Sequence, residues 1–182
     1  MTRLPYVAKQ DLPPPYCDLP LNASHITMSL SNSPGAVLVS GNVAKHLKNS
    51  PLDPRLRELA ILQASYSAGS DYAWSHHIEV GFDCGVTEDD LRAIADESAG
   101  RQSKLDPLSR AVLSAARELT LKIELSDATF AVLRQSLDNE QMVDLFYAIS
   151  NYNSVARMIA GFKLAVEPAY LDYLKRFPIK RA

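Results

Sequence analysis

Hydrophobic and polar residues along this chain follow the spacing of amphipathic helices. Apolar side chains recur three and four positions apart through most of the sequence after Ser33, and no stretch alternates at period two for long enough to predict a strand. The chain has only 7 glycines in 182 residues, which suits helices joined by short loops. The pattern therefore predicts an all-α fold, a compact helical bundle.

Capping residues indicate where these helices begin. Thr87, Asp106, Ser126 and Asp138 are residues of the kind that cap a helix N-terminus, and Pro54 and Pro107 stand at helix starts. The predicted helices cover residues 55–69, 71–84, 88–96, 107–122, 127–137 and 139–166. The first is apolar on almost every side, which is typical of a helix buried at the centre of a domain.

The first 24 residues differ from the rest of the chain. Five of the 11 prolines fall within the first 20 residues. Because proline fixes φ and disfavours the helical conformation of the residue before it, we expect an extended arm without helix over residues 1–24. Such an arm either packs along its own domain or reaches a neighbouring subunit. Residues 25–182 are predicted to form a single all-α domain.

Composition narrows the class of protein. Apolar residues make up 47% and charged residues 22% of the chain, as in ordinary globular domains. Nineteen basic against 21 acidic residues give a net charge of -2, which argues against non-specific nucleic-acid binding. No apolar run approaches a membrane span, no signal peptide is visible, and Cys17 and Cys84 form no metal or redox motif. We expect a cytoplasmic protein without a nucleic-acid or membrane partner.

Candidate chemistry lies between residues 57 and 85. Glu58 stands at the start of the apolar helix, where burial is expected to raise a carboxyl pKa and produce a proton carrier. On the next helix Ser70, Trp74 and His77 are spaced i, i+4, i+7 and are expected to share one face. An imidazole beside an aromatic wall is suited to general acid or base catalysis.

Each of these residues also has a purely structural interpretation. Glu58 can pair with Arg55 or Arg57, and His77 can be a hydrogen-bonded histidine of the core. His76 points about 100° away from His77, and is either a supporting residue or solvated. The spacing of the four histidines fits no zinc site, and no serine–histidine–aspartate triad or phosphate-binding glycine loop is indicated.

Three segments resemble the carboxymuconolactone decarboxylase and alkylhydroperoxidase D superfamily. They are LDPRLRELAIL, GSDYAWSHHIEVGFDCGVTEDDLRAI and YAISNYNSVARMIAGF, in which Tyr152, Asn153 and Arg157 match the closing helix. The resemblance implies an all-α homo-oligomer (dimer, trimer or hexamer) with active sites near subunit contacts. Glu58 and His77 match the glutamate and histidine of the peroxidase branch's proton relay.

The same resemblance excludes one activity. The two cysteine positions of the peroxidase motif are occupied here by Ser70 and Ala73, so no thiolate forms there and thiol peroxidase chemistry is excluded. The decarboxylase branch, which uses no cofactor, usually has a glutamate at the position of Ala73. One carboxyl of that pattern is therefore absent next to His77.

The sequence favours a cofactor-free, metal-free lyase or isomerase acting on a small carboxylated lactone or related ring-cleavage product. Glu58 or His77 is the base and the other relays the proton. Six residues are expected to bind the substrate. Trp74 forms an apolar wall and Arg157 anchors an acidic substrate. The further pocket residues are Ser70, Tyr72, His76 and Asn153. Two alternatives stay open, a hydrolase of a lactone or β-dicarbonyl that uses histidine-activated water, and a catalytically silent oligomeric binding protein.

Overall fold

The computed structural model describes residues 2–180 and is all-α over that range, as predicted. Nine α-helices follow one another in the described chain: α1 His25–Leu30, α2 Pro34–Lys48, α3 Pro54–Ser67, α4 Asp71–Asp83, α5 Glu88–Ser98, α6 Pro107–Leu121, α7 Asp127–Arg134, α8 Asn139–Phe162 and α9 Leu171–Arg176. Short 3-10 helices occur at Lys9–Asp11, Tyr16–Asp18 and Pro168–Tyr170. Residue 1 of the predicted arm and residues 181 and 182 of the predicted domain lie outside the described residues.

The predicted caps are found where the sequence places them. The side chains of Thr87, Asp106, Ser126 and Asp138 each accept a hydrogen bond from a backbone N–H in the first turn of the helix that follows. Asp53 and Ser70, which were not predicted as caps, do the same for α3 and α4. The long helix α8 ends at Phe162, four residues before the predicted end, because Lys163 adopts a left-handed conformation with φ 54°. Helix ends are the least well determined part of a sequence-based prediction.

Helix α3 is the centre of the bundle. It packs against α4, α5, α6 and α8, and eleven of its fourteen residues are buried. Most of the core forms one cluster that includes Leu59, Leu62, Ile78 and Leu113. Glu58 and His77 therefore lie on two helices that a single apolar core holds in contact.

The prediction for the N-terminal arm needs correction. The arm is not free of helix, because two single-turn 3-10 helices form within it, and α1 starts eight residues before Ser33. The arm packs along its own domain: the Arg3 N–H donates to the Phe162 carbonyl at 2.9 Å and the Val7 N–H to the Met28 carbonyl at 3.0 Å. The prolines prevent α-helix but leave the tighter 3-10 turn available.

Among the helices of residues 2–180, none combines the length and the hydropathy that a membrane span requires.

Candidate functional site

Glu58 and His77 meet across the contact of α3 with α4. Oε2 of Glu58 lies 2.8 Å from Nδ1 of His77. Glu58 is 2% exposed, whereas the His77 side chain retains 15% exposure. The first turn of α3 places the carboxylate against the second turn of α4, so residues nineteen positions apart form one buried pair.

Arg57 completes the surroundings of the Glu58 carboxylate. Its Nε donates to Glu58 Oε1 at 3.2 Å, and its other guanidinium nitrogens contact the Leu47 carbonyl at 3.1 Å and the Cys84 sulfur at 3.5 Å. The pairing with Arg57 that the sequence offered as a structural interpretation is therefore present together with the contact to His77. Burial raises the pKa of the Cys84 thiol, and the nearby Glu58 charge adds to that rise.

The pKa of Glu58 shifts in the opposite direction to the one expected from burial alone. Burial of the carboxyl acts to raise its pKa, but the hydrogen bond and positive charge of His77, together with Arg57, outweigh burial and lower the pKa of Glu58. The expectation of a carboxyl with a raised pKa was wrong, because it considered burial without the partners. Glu58 is ionised at neutral pH.

An ionised Glu58 fixes the chemistry of the imidazole. A carboxylate only accepts hydrogen bonds, so Nδ1 of His77 carries the hydrogen and Nε2 carries the lone pair when the ring is neutral. Among the residues that the structure describes, Nε2 has no hydrogen-bond partner. A carboxylate that holds one ring nitrogen and leaves the other free is the arrangement that orients a histidine as a base.

His77 lies in the wall of a cavity of about 510 Å³, which is referred to here as the α4 cavity. This volume is within the range that binds small organic ligands. Polar and aromatic members of its wall include Tyr72, His76, His77, Asn151, Tyr152, Glu167 and Tyr170. Apolar members include Ile26, Leu30, Ala44, Leu47, Ala73, Val80, Val155 and Ile159. No lysine or arginine of the described chain belongs to this wall.

His76 forms a second imidazole–carboxylate pair in the same cavity wall. Its Nε2 lies 2.7 Å from Oε2 of Glu167, and its ring is stacked between Tyr72 and Tyr170, with ring centroids 4.3 Å and 3.7 Å away. Burial lowers the pKa of His76, and the contact with Glu167 offsets only part of that effect. His76 is thus a packed member of the cavity wall, and the solvated interpretation does not describe it.

Glu167 is an acceptor for three groups. Its Oε1 accepts from the Tyr72 hydroxyl and from the His25 backbone N–H, both at 2.7 Å, in addition to the His76 contact. Burial acts to raise its pKa, but these hydrogen bonds lower it. Although Ala73 lacks the carboxyl usual for the decarboxylase pattern, a carboxylate reaches the cavity from the segment after α8. Its distance of more than ninety residues from His76 left no spacing signal in the sequence.

Four predicted substrate-binding residues lie outside the α4 cavity wall: Trp74, Asn153, Arg157 and Ser70. Trp74 is 1% exposed, donates from Nε1 to the Phe177 carbonyl at 2.7 Å and borders a smaller cavity of about 290 Å³ with Tyr66. Asn153 donates to Thr120 Oγ1 and accepts from Arg157, which also donates to the Asn153 carbonyl. Trp74 is therefore a core residue, and Asn153 and Arg157 form the i, i+4 pair of the structural interpretation.

Ser70 caps α4 by accepting from the Ala73 N–H at 3.4 Å, whereas Tyr72 lies in the wall of the α4 cavity. The shared face expected of Ser70, Trp74 and His77 does not form, since Trp74 turns toward α9 and His77 toward Glu58. Tyr152, which the resemblance marked only as part of a matching segment, belongs to the cavity wall and contacts His77. No group of three or more possible metal ligands occurs in residues 2–180.

Part of the sequence matches a known protein family. Residues 39–118 match the model of the carboxymuconolactone decarboxylase family, a range that contains both Glu58 and His77. No curated protein matches the sequence.

Solved structures share the fold at low sequence identity. An alkylhydroperoxidase D core protein from Ralstonia eutropha JMP134, described as an uncharacterized peroxidase-related protein, has a TM-score of 0.77 and 16% identity, covering 93% of this chain and 94% of that one. A cysteine-to-alanine variant of the debrominase Bmp8, in complex with 2,3,4-tribromopyrrole, has a TM-score of 0.76 and 18% identity, covering 86% and 83%. A peroxidase-related protein from Silicibacter sp. TM1040 has a TM-score of 0.67 and 16% identity, covering 81% and 78%.

Proposed function

Because the chain belongs to the carboxymuconolactone decarboxylase and alkylhydroperoxidase D superfamily, we propose that it is a cofactor-free lyase or isomerase that moves a proton on a small ring compound. One observation carries the proposal. The Glu58 carboxylate holds Nδ1 of His77 at 2.8 Å, while Nε2 of this cavity-wall residue has no hydrogen-bond partner among residues 2–180.

The two residues have different roles in this proposal. His77 is the base, because the lone pair on its Nε2 is available to a bound molecule. Glu58 is a positioning residue, since it is buried, ionised and bonded to both His77 and Arg57. It orients the ring and stabilises the imidazolium that forms when Nε2 takes up a proton.

The cavity favours a neutral substrate over the carboxylated lactone that the sequence suggested. A substrate carboxylate in this cavity would lose its hydration without meeting a cation, because the described wall contains no lysine or arginine and Arg157 lies elsewhere. Glu167 adds negative charge to the wall. The 2,3,4-tribromopyrrole bound by the debrominase of similar fold is likewise a small ring without a carboxylate. We therefore propose neutral unsaturated lactones and cyclic ketones as the substrate class.

The test is a panel of β,γ-unsaturated lactones and cyclic ketones, each assayed beside the same ring carrying a carboxylate. Proton transfer is followed by NMR as isomerisation and solvent deuterium incorporation, with loss of CO₂ monitored for the carboxylated compounds. We expect turnover of neutral rings, with a loss of roughly 10²- to 10⁴-fold in His77→Asn, the usual contribution of a general base.

His46→Asn is the matched control, because His46 also contacts a carboxylate, Asp144 at 2.9 Å, but lies outside the α4 cavity wall. It is expected to leave turnover unchanged. Products that have gained water would instead identify a hydrolase. Turnover that survives in His77→Asn, or the absence of turnover across the panel, would overturn the proposal.

A further inference from the structure

Tyr152 is the aromatic residue of the cavity wall that meets His77 directly. It projects from α8, and its ring contacts the His77 imidazole edge to face, with centroids 4.5 Å apart and planes at 82°. Its ring packs beside the small buried cluster of Leu47, Ile61 and Ala148. The phenol ring is therefore held in contact with the imidazole proposed as the base.

The hydroxyl of Tyr152 has no hydrogen-bond partner among residues 2–180, unlike two other tyrosines of the interior. The Tyr72 hydroxyl donates to Glu167, and the Tyr66 hydroxyl accepts from the Lys180 N–H at 3.2 Å. This hydroxyl is not sealed from water, since Ser29 Oγ is the only fully buried side-chain polar atom without a partner among the described residues. A hydroxyl in the wall of a ligand-sized cavity has an available partner, which is a polar atom of the molecule that binds there.

The surroundings of this hydroxyl determine which kind of partner it takes. Burial raises the pKa of Tyr152, and the negative charge of Glu58 raises it further, so the phenol stays protonated at neutral pH and donates. His77 Nε2, in its neutral form, is an acceptor. The two neighbouring groups are thus complementary: one offers a hydrogen bond to an oxygen, and the other accepts a proton from a carbon.

We propose that the Tyr152 hydroxyl binds the carbonyl oxygen of a neutral cyclic enone or lactone and stabilises the negative charge that develops on it. This inference rests on the proposed function and adds the group that recognises the substrate. His77 Nε2 removes a proton from the carbon next to the carbonyl. The C–H electron pair then forms a carbon–carbon double bond, and the carbonyl π pair moves to the oxygen that faces Tyr152. Collapse of this enolate returns the proton from Nε2–H to the γ carbon, which completes an isomerisation without gain or loss of electrons.

Two probes test this step and the proposed function separately. Cyclohex-3-enone reports turnover, because its isomerisation to cyclohex-2-enone creates a conjugated chromophore. Cyclohex-2-enone labelled with ¹³C at the carbonyl reports binding, because a hydrogen bond from Tyr152 lowers the infrared stretching frequency of that carbonyl. We expect a lowered frequency in the wild type and in His77→Asn, and its return toward the solvent-free value in Tyr152→Phe.

Tyr152→Phe is also expected to lower kcat for cyclohex-3-enone by about 10²- to 10³-fold, which is the usual effect of removing one donor to a developing oxyanion. Its melting temperature should stay equal to that of the wild type, because no protein hydrogen bond is lost. Tyr147→Phe is the matched control, since Tyr147 lies on the same helix, is 44% exposed and is outside the α4 cavity wall.

The outcomes are distinguishable. A frequency shift without turnover supports the role of Tyr152 and overturns the proposed base. Turnover with no frequency shift, or with full activity in Tyr152→Phe, overturns the role of Tyr152 and leaves His77 in place. A wild-type protein that neither binds nor turns over these probes at millimolar concentration overturns both.

Discussion

His76 and His77 are adjacent in α4 and both line the α4 cavity, yet their imidazoles contact two different carboxylates. His76 Nε2 lies 2.7 Å from Glu167, and His77 Nδ1 lies 2.8 Å from Glu58. Consecutive helix residues point about 100° apart, so one helix presents two oriented rings to the same space. His76 contacts its carboxylate through Nε2 and His77 through Nδ1, so the two histidines use different ring nitrogens.

Replacing Glu58 and replacing His77 should affect stability unequally. Glu58→Gln leaves the buried Arg57 guanidinium without its anion and is expected to cost about 3–5 kcal/mol of unfolding free energy. His77→Asn keeps an N–H that can donate to Glu58 and should cost less than about 1 kcal/mol. Urea unfolding of both variants, followed by circular dichroism, measures the difference.

Glu124→Gln, at an exposed loop position, serves as the control for loss of a carboxylate charge. Equal destabilisation by Glu58→Gln and His77→Asn would mean that the ion pair with Arg57 contributes little. Because the glutamate variant perturbs folding, His77→Asn is the cleaner test of catalysis.

Glu167→Ala should loosen the junction between α1, α4 and the segment after α8. The change removes the acceptor of three hydrogen bonds, from His25 N–H, Tyr72 and His76, and we expect a loss of about 3 kcal/mol in unfolding free energy. Hydrogen exchange at the amides of α1 should accelerate as well. The exposed Glu140→Ala is the comparison, with an expected change within about 0.5 kcal/mol. Equal effects of the two substitutions would contradict a joining role for Glu167.

Trp74→Phe should reduce stability without reducing turnover. The substitution removes the 2.7 Å hydrogen bond to the Phe177 carbonyl and part of the core volume, which together are expected to cost about 2 kcal/mol. Thermal melts by circular dichroism, alongside assays on cyclohex-3-enone, measure both quantities. A large fall in kcat at unchanged melting temperature would instead place Trp74 at the reacting molecule.

Stability should fall in two stages as the pH is lowered. The folded-state pKa of His76 lies below its ordinary value of 6.5, so its contribution is complete above pH 6.5 and is lost as the pH falls below that value. The lowered pKa values of Glu58 and Glu167 act in the same direction, with their contributions complete above 4.5 and lost below it. Melting temperatures from pH 8 to pH 3 should therefore decline from near neutrality and again in the acid range.

His76→Gln isolates the first stage, because glutamine retains an N–H for Glu167 but does not titrate. Its melting temperature should decline less than that of the wild type between pH 6.5 and pH 5. An unchanged slope in this variant would show that another group is responsible.

The sequence by itself determined the helices, most of their caps and the burial of α3, because these features depend on neighbours within a few residues. It also identified Glu58 and His77 as candidate site residues. Because Ser70 and Ala73 occupy the two cysteine positions of the peroxidase motif, it excluded a cysteine pair there.

Tertiary structure decided the direction of the Glu58 pKa, the removal of Trp74 and Arg157 from the cavity wall, and the presence of Tyr152 and Glu167 in it. Each of these depends on which helices come into contact and on the side from which they meet. A carboxylate gains or loses protons according to the groups packed against it, and those groups come from segments that are distant in the chain. For this reason the sequence nominated Glu58 and His77 as candidates, whereas only the packing of α3, α4 and α8 defined the surroundings of the two side chains.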